Sequence, residues 1–359
     1  MANRLRVGIV GCGGIANQKH LPSLKALNRV DIVAFCDLII EKAEKSAKEY
    51  GTPDAKVYVD YKELLKDESI DVVYVCTPNR MHAQVSIDAL DAKKHVMCEK
   101  PMAKTAADAR AMVEAAKRNG KKLTIGYQHR HKAEARYVKG VVERGDLGEI
   151  YYAHAYAIRR RGTPNWGVFL NEYEQGGGPL IDIGTHSLDL TLYLMNNYEP
   201  KMVLGKTHKK LEHPEAGNIW GDNGVSSNPL EEAACALIVM KNGATIMLET
   251  SWALNIEHPK ETTCSLCGTR AGLFVGKELT VNKVDHNRLT LTNVEIGAGG
   301  VDFYAGASMK PQEREAAKWI EAIIEDKDPV VLPEQALVVS KILEAIYVSS
   351  KTGEAVYFD

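Results

Sequence analysis

Residues 4–16 read Arg4-Leu5-Arg6-Val7-Gly8-Ile9-Val10-Gly11-Cys12-Gly13-Gly14-Ile15-Ala16, and they decide the fold. Positions 4–10 predict a short apolar strand. Gly11 to Ala16 then spell G-x-G-x-x-A ahead of a helix expected from near Asn17. Gly11 permits a tight turn, Gly13 lets a pyrophosphate approach the backbone, and Ala16 lets the helix pack closely on the strand. The helix N-terminus adds amide donors and a favourable dipole. A second predicted strand, 31–36, ends on Asp37. This acid lies roughly 20 residues past the glycines, where a carboxylate can bind a ribose 2′-hydroxyl. Leu38, Ile39 and Ile40 follow it without an arginine to hold a 2′-phosphate, which favours NAD over NADP. Gly11, Gly13, Gly14, Ile15 and Asp37 are therefore expected to bind the cofactor. The alternative is a glycine turn in some other α/β fold.

Working outward, strands and helices alternate: helix 42–50, strand 56–59, helix 61–66 and strand 72–76. The last is continuously apolar, as in a parallel sheet buried on both faces. It ends in Thr77-Pro78-Asn79, at the carboxyl edge where such sheets bind ligands, so these three are expected to border the cofactor. His82, on the next helix, either touches the cofactor or is a first-turn surface histidine. Strand 95–98 ends in Glu99-Lys100-Pro101 at the same edge. An ammonium there can donate to a substrate hydroxyl and stabilise a developing alkoxide, although a single lysine is more commonly just solvated. Helix 105–119 has Gly120 beyond its end as a C-cap signal. Strand 123–126 leads into Tyr127-Gln128-His129-Arg130-His131, rich in donors and aromatic faces, where a first domain (1–128) hands over to a second (129–359).

In the second domain, residues 174–189 read Glu-Gln-Gly-Gly-Gly-Pro-Leu-Ile-Asp-Ile-Gly-Thr-His-Ser-Leu-Asp. Three glycines interrupt any preceding element, and Pro179 suits the first turn of a helix. Asp182 and His186 are four apart and so share one helix face, which Asp189 continues. Gly184 leaves room beside them for a substrate. A carboxylate and an imidazole on one stripe can serve as an acid/base pair. The plain alternative is a helix with a satisfied buried histidine and capping acids. Upstream, Arg159-Arg160-Arg161 reads as a solvated rim or a phosphate site, the rim being favoured. Asn165 lies beside Trp166, whose ring is either a platform for a sugar or core packing. Downstream come strands near 149–158, 201–208, 231–240, 244–252, 261–267, 272–274 and 288–294, with Asn242-Gly243 as a hairpin turn. They predict a large, open-faced antiparallel or mixed sheet covered by helices. Residues 212–229 form a long loop, expected as a lid or a subunit contact. Two helices, 312–325 and 333–350, close the chain, and the last is expected to pack back on the first domain.

Composition agrees with this plan. The 359 residues are 45% hydrophobic and 26% charged, with a net charge of −2, which points away from nucleic-acid and membrane-surface partners. No apolar run approaches the ~20 residues of a membrane span. No signal-peptide pattern precedes the first strand, so a cytoplasmic address is expected. The seven cysteines sit mostly in apolar strands. Cys264 and Cys267 form a lone Cys-x-x-Cys without a second pair, so no metal is expected. An uncovered apolar sheet would invite aggregation, so the second domain is expected to form a homo-oligomer through it.

Taken together, the glycine fingerprint, the Glu99-Lys100-Pro101 segment and the Asp182-x-x-x-His186 helix occur in one order along the whole chain. In this the chain resembles the Gfo/Idh/MocA family of sugar and cyclitol dehydrogenases. That resemblance implies an N-terminal Rossmann domain, a catalytic set of Lys100, Asp182 and His186, and dinucleotide binding by Gly11, Gly13 and Asp37. Residues 159–189, with Asn165-Trp166-Gly167-Val168-Phe169, look like the subgroup that oxidises glucosides at C3 to 3-oxo-glucosides. Many members carry Asn-Arg after the sixth strand, where this chain has Gln128-His129-Arg130-His131. The expected substrate contacts are Tyr127, His129, Arg130, Arg160, Asn165, Trp166, Asp182 and His186, and the cofactor contacts extend to His82, Glu99 and Lys100. The activity this implies is NAD-dependent oxidation of a sugar or glycoside alcohol. Alternatives are an inositol dehydrogenase, a non-catalytic NAD(H)-binding sensor, and an enzyme whose tightly bound NAD(H) is recycled by a second sugar. Lys100 and His186 are expected to act on one carbinol.

Overall fold

The computed structural model describes residues 4–211, 217–222, 224–296 and 309–358. Part of the expected lid loop, 212–216 and 223, thus lies outside the described residues. The chain divides into two compact units: Met1–His131 with Met309–Leu337, and Lys132–Ser308 with Val338–Asp359. The first boundary falls after His131 rather than after residue 128. The stretch Met309–Leu337, expected in the second domain, belongs to the first.

The first unit is built on six parallel strands: β1 (Leu5–Val10), β2 (Val30–Cys36), β3 (Lys56–Tyr58), β4 (Val72–Val75), β5 (His95–Cys98) and β6 (Leu123–Ile125). Their order is β3-β2-β1-β4-β5-β6, the doubly wound arrangement of a dinucleotide-binding fold. Every residue of β4 is buried, because helices cover both faces of such a sheet. The late return of the chain has a simple cause. Helix Pro311–Ile324 carries Ala316, Trp319 and Ile320 at i, i+3 and i+4, and all three join the cluster formed by Val7, Ile9, Ile32, Val72 and Tyr74. Burying large apolar side chains of this kind contributes about 1.5–3 kcal/mol each. Helix Ala106–Asn119 starts where Thr105 accepts the Asp108 N–H at 3.1 Å, and it stops at Gly120, which has φ +60°.

Among the described residues, nine strands form the sheet of the second unit: β7 (Ile150–Ile158), β8 (Pro200–His208), β9 (Ala233–Met240), β10 (Thr245–Ser251), β11 (Lys260–Gly268), β12 (Ala271–Val275), β13 (Leu279–Asp285), β14 (Arg288–Val294) and β15 (Val356–Tyr357). The order is β14-β13-β12-β11-β7-β10-β9-β8-β15. The sheet is mixed, because β10 runs parallel to β7 while the other pairs are antiparallel. A parallel neighbour needs a crossover, and the chain between them supplies one through helix Thr185–Met195. β13 and β15 were not among the expected strands. β13 is largely exposed and carries Asn282, Lys283 and Asp285, so its sequence lacks apolar alternation. Along β7 the two faces separate cleanly. Ala153, Ala155 and Ala157 are fully buried, and helix Thr185–Met195 packs over β7 and β11; small side chains let it approach. Tyr152, His154 and Tyr156 point the other way. The Asn242-Gly243 turn is confirmed, with Gly243 at φ +90° between antiparallel β9 and β10. Among the described residues, no helix is long and apolar enough to cross a membrane.

Candidate active site

In the first unit the nucleotide turn is shaped by what glycine lacks. Gly11 has φ +93°, and a Cβ there would lie 2.5 Å from the Cys76 carbonyl oxygen, so no side chain fits. A Cβ on Gly13 would meet nothing within 4 Å, and one on Gly14 only Gln18 Nε2 at 3.9 Å. That open space is what an approaching pyrophosphate needs. The turn enters a π-helical turn, Ala16–His20, then helix Leu21–Lys25. Asn17 Nδ2 braces it by donating to the carbonyls of Cys12 at 2.8 Å and Gly13 at 2.9 Å. From the end of β2, Asp37 Oδ2 accepts the Cys12 N–H at 2.8 Å and Oδ1 accepts the Ile39 N–H at 2.9 Å. Each carboxylate oxygen keeps acceptor capacity for a ribose hydroxyl. Leu38, Ile39 and Ile15 beside this turn are exposed, offering apolar surface for a base. These donors, acceptors and open glycines fit a dinucleotide with an unphosphorylated ribose. A 2′-phosphate would face the Asp37 carboxylate.

At the carboxyl edge, Thr77, Pro78 and Asn79 follow β4, and Asn79 opens helix Asn79–Asp91. His82 is neither a surface residue nor free to bind cofactor. It is 1% exposed, with Nδ1 2.7 Å from the Pro101 carbonyl oxygen and Nε2 2.9 Å from that of Thr77. Burial pulls its pKa down, against the pull of the two carbonyls. Glu99 is likewise buried rather than presented to cofactor. Its Oε1 is 2.7 Å from both Lys19 Nζ and His20 Nε2, and its Oε2 accepts the Lys100 N–H at 3.0 Å. Burial pushes this carboxyl up, but Lys19 and His20 more than offset it and hold it well below the usual range. Lys100 itself is partly exposed.

Two expected substrate contacts are corrected by burial. Tyr127 and Arg130 are each 1% exposed. Arg130 Nη1 donates to the Val330 carbonyl at 3.1 Å and to Gln335 Oε1, fastening the returning segment of the first unit. His129, between them, stays partly exposed.

In the second unit two of the three glycines that interrupt the chain are closely packed. A Cβ on Gly177 would strike the Tyr347 hydroxyl, and one on Gly178 would strike the Glu231 backbone carbonyl. Glu231, which carries no motif that would single it out, reaches in from 51 residues away. Its Oε1 accepts Gly178 N–H at 2.9 Å, Leu180 N–H at 3.4 Å and the Tyr347 hydroxyl at 2.7 Å. Burial raises its pKa against those hydrogen bonds. The carboxylate so caps a π-helical turn, Leu180–Gly184, that runs into helix Thr185–Met195. Asp182 therefore sits on the wider turn and His186 on the α-helix beyond it; such π turns recur at functional sites. Asp182 is partly exposed, and its Oδ2 accepts the Trp252 Nε1–H at 3.0 Å. His186 is 9% exposed and Asp189 fully buried. Gly184 makes room for protein rather than substrate, since a Cβ there would lie 3.2 Å from Thr250 Cγ2.

Trp252 connects this helix to an aromatic loop. Phe169 and Leu170 pack on the cluster of Ala157, Ile183, Leu230 and Trp252. Trp166, half exposed, meets Phe169 edge-on at 5.8 Å and Trp220 at 4.9 Å. Asn165 Nδ2 ties the loop by donating to the carbonyls of Trp220 at 2.8 Å and Gly221 at 2.9 Å. Arg159 pairs with Glu261, while Arg160 is exposed, as a solvated rim requires. Cys264 and Cys267 are three apart on β11, hence on opposite faces. Among the described residues, no cluster of histidine, cysteine or acids could hold a metal ion.

Residues 5–127 match an oxidoreductase family described by its NAD-binding Rossmann fold, and residues 139–358 match that family's C-terminal alpha/beta domain. The chain is 35% identical over 358 residues to D-glucoside 3-dehydrogenase of Escherichia coli (strain K12), covering 98% of this chain and 97% of that protein. Inositol 2-dehydrogenase of Salmonella typhimurium (strain LT2) is 34% identical over 194 residues, 54% of this chain and 55% of its own. A solved structure of levoglucosan dehydrogenase in complex with NADH shares the fold, with a TM-score of 0.85 at 21% identity, covering 99% of this chain and all of the other.

Proposed function

The chain belongs to the Gfo/Idh/MocA oxidoreductase family, and we propose that it oxidises the C3 hydroxyl of a glucoside to the 3-oxo-glucoside. The observation that carries this reading is the likeness to D-glucoside 3-dehydrogenase along nearly the whole of both chains. The inositol enzyme matches only about half of each chain, which leaves the polyol reading weaker.

Gly11, Gly13, Gly14, Ile15 and Asp37 would hold NAD, with Thr77, Pro78 and Asn79 bordering it, and the bound cofactor would supply the hydride acceptor. His186 takes the hydroxyl proton while the C–H hydrogen departs as hydride; a neutral imidazole suits that work near pH 7. Lys100 stabilises the alkoxide character that grows on the same oxygen. Asp182, its carboxylate oriented by Trp252, aligns the hydroxyl or the imidazole. Trp166, backed by Phe169 and Trp220, offers a ring face to the C–H surface of the sugar.

The test is a substrate panel read by NADH absorbance, comparing alkyl and aryl glucosides with myo-inositol. Glucosides turned over to a 3-oxo product support the reading, whereas a clear preference for myo-inositol overturns it. His186→Ala should lower turnover by about 10²–10⁴-fold while NADH binding survives; unchanged turnover removes the base assignment.

We also assign a second copy of the chain to the outer face of the nine-stranded sheet. Tyr152, His154 and Tyr156 there register with Thr245, Met247 and Glu249, and these with Val239, Leu237 and Cys235, all half-buried or exposed. Light scattering that returns a monomer mass at micromolar concentration defeats this assignment.

A further inference from the structure

Four ionisable side chains, remote in sequence, are buried together behind Lys100. Lys19 Nζ lies 2.7 Å from Glu99 Oε1 and 2.9 Å from Glu315 Oε2, and His20 Nε2 lies 2.7 Å from the same Glu99 oxygen. Lys19 is 6% exposed, His20 2%, Glu99 5% and Glu315 3%. Gly126, just past β6, leaves room for the cluster, since a Cβ there would sit 3.0 Å from Glu99 Oε1. Burial pulls the Lys19 ammonium down, but Glu315 and Glu99 raise it well past its ordinary value, so it is a fixed cation. Burial raises Glu315, the weaker carboxylate of the two.

Buried ions are expensive, and apolar replacements of equal volume are often as stable. Such a cluster calls for a reason other than stability, and its outlet supplies one. Glu99 Oε2 accepts the N–H of Lys100 itself. One residue further on, His82 Nδ1 lies 2.7 Å from the Pro101 carbonyl oxygen and Nε2 2.9 Å from that of Thr77, so the one ring proton of a neutral imidazole ties one of these two carbonyls. The backbone is therefore held at the Lys100 N–H, with the His82 ring packed against the Pro101 carbonyl beyond it. Lys19 and His20 stand on the π-helical turn Ala16–His20 that follows the nucleotide-binding glycines. The same cluster thus ties the glycine turn to the Lys100 segment within the first unit.

We propose that Lys19, Glu315 and His82 are positioning residues for Lys100: Glu315 fixes Lys19, Lys19 fixes the Glu99 carboxylate, and that carboxylate and His82 fix the backbone from which the Lys100 ammonium projects. This rests on the catalytic reading of Lys100 given above.

The experiment compares wild type with the charge-balanced variant Lys19→Met/Glu315→Gln, measuring kcat, KM, NADH affinity and the Lys100 amide resonance in lysine-¹⁵N-labelled protein. We expect kcat to fall roughly 10- to 100-fold, the cost of a misplaced catalytic group. KM and NADH affinity should change much less. The Lys100 amide proton should move upfield as its carboxylate acceptor loses its hold. A lower melting temperature with kcat per folded molecule and the Lys100 resonance both unchanged overturns the proposal, because the cluster would then be structural only. If the double variant does not fold, Glu315→Gln alone keeps the volume and an acceptor for Lys19. It should give the same shift in direction with a several-fold loss of kcat, and no change in either refutes the idea. A wild type that oxidises neither glucosides nor polyols defeats the catalytic reading instead, while the amide resonance still reports whether the cluster holds the segment.

Discussion

Replacing Glu231 by alanine tests whether the capped π turn is what holds Asp182 in place. The substitution removes the acceptor of the buried Gly178 N–H at 2.9 Å and of the hydroxyl of half-buried Tyr347 at 2.7 Å. The third bond, from Leu180 N–H at 3.4 Å, is long and adds little. Each buried donor left without an acceptor costs about 1–3 kcal/mol, so the pair costs about 2–6 kcal/mol. At about 2–4 °C per kcal/mol for a unit of this size, the melting temperature of the second unit should fall by roughly 4–24 °C. Glu231→Gln keeps an acceptor oxygen and removes a charge that burial already disfavours. Because the folded pKa is raised, the protonated form is the better tolerated one, and the stability it contributes is lost as pH rises through the folded pKa. The glutamine variant should therefore lose much less than the alanine variant, and its deficit should shrink further as pH rises. Tyr347→Phe removes one donor together with its bond, and combined with Glu231→Ala it should cost less than the sum of the two. The assay is calorimetric or fluorescence-detected unfolding of wild type and the four variants at two pH values, with turnover measured alongside. An alanine variant as stable as wild type, or a glutamine variant as damaged as alanine, refutes the reasoning.

Coenzyme choice should turn on Asp37. Asp37→Ser combined with Leu38→Arg removes the carboxylate facing the ribose and supplies a cation, so the NAD/NADP ratio of kcat/KM should fall roughly 10- to 100-fold, the worth of one charge-assisted bond; a ratio that stays put rejects the ribose contact. Acid sensitivity should trace in part to His95. Burial, with Lys121 and Lys122 nearby, lowers its pKa from 6.5 to about 4, and its Nδ1 accepts the Lys122 N–H at 3.0 Å. Between those values the unfolded chain binds the proton and the folded chain does not, so stability is present above pH 6.5 and drains away as pH falls toward 4. His95→Gln should flatten that stretch of the stability curve, and an NMR titration placing His95 at or above 6.5 contradicts it.

What the sequence made legible was local. The glycine turn of β1, the acid closing β2, the apolar run of β4, the alternation along β7 and the Asn242-Gly243 hairpin each act through neighbours a few residues away. Their periodicity and turn chemistry are written in consecutive letters. Asp182 and His186 were readable for the same reason, since one helical segment carries both. The misreadings share the opposite cause. Gly177, Gly178 and Gly184 looked like slack, yet they are small because Tyr347, Glu231 and Thr250 occupy the space. His82 and Glu99 looked like cofactor ligands because they flank ligand-binding strand ends, but partners from elsewhere in the unit claim their polar atoms. Arg130 looked like a substrate contact until Val330 and Gln335 arrived from the returning segment.

These distant partners are not incidental to the chemistry. Lys100 has its backbone held by Glu99 and His82, and Asp182 is held by Trp252 and by a turn that Glu231 caps. In both units a group of proposed catalytic function projects from a short segment with little regular structure of its own. A lone lysine after a strand, or an aspartate on a five-residue π turn, would sample many orientations, and a rate that depends on alignment would suffer accordingly. The buried carboxylates supply what hydrogen-bonded ladders supply elsewhere, a fixed backbone. Their expense in buried charge makes physical sense only if orientation matters at the residue they hold. That is why the motif letters could be read as a reaction class, while the residues proposed to hold its catalytic groups had to be found in the fold.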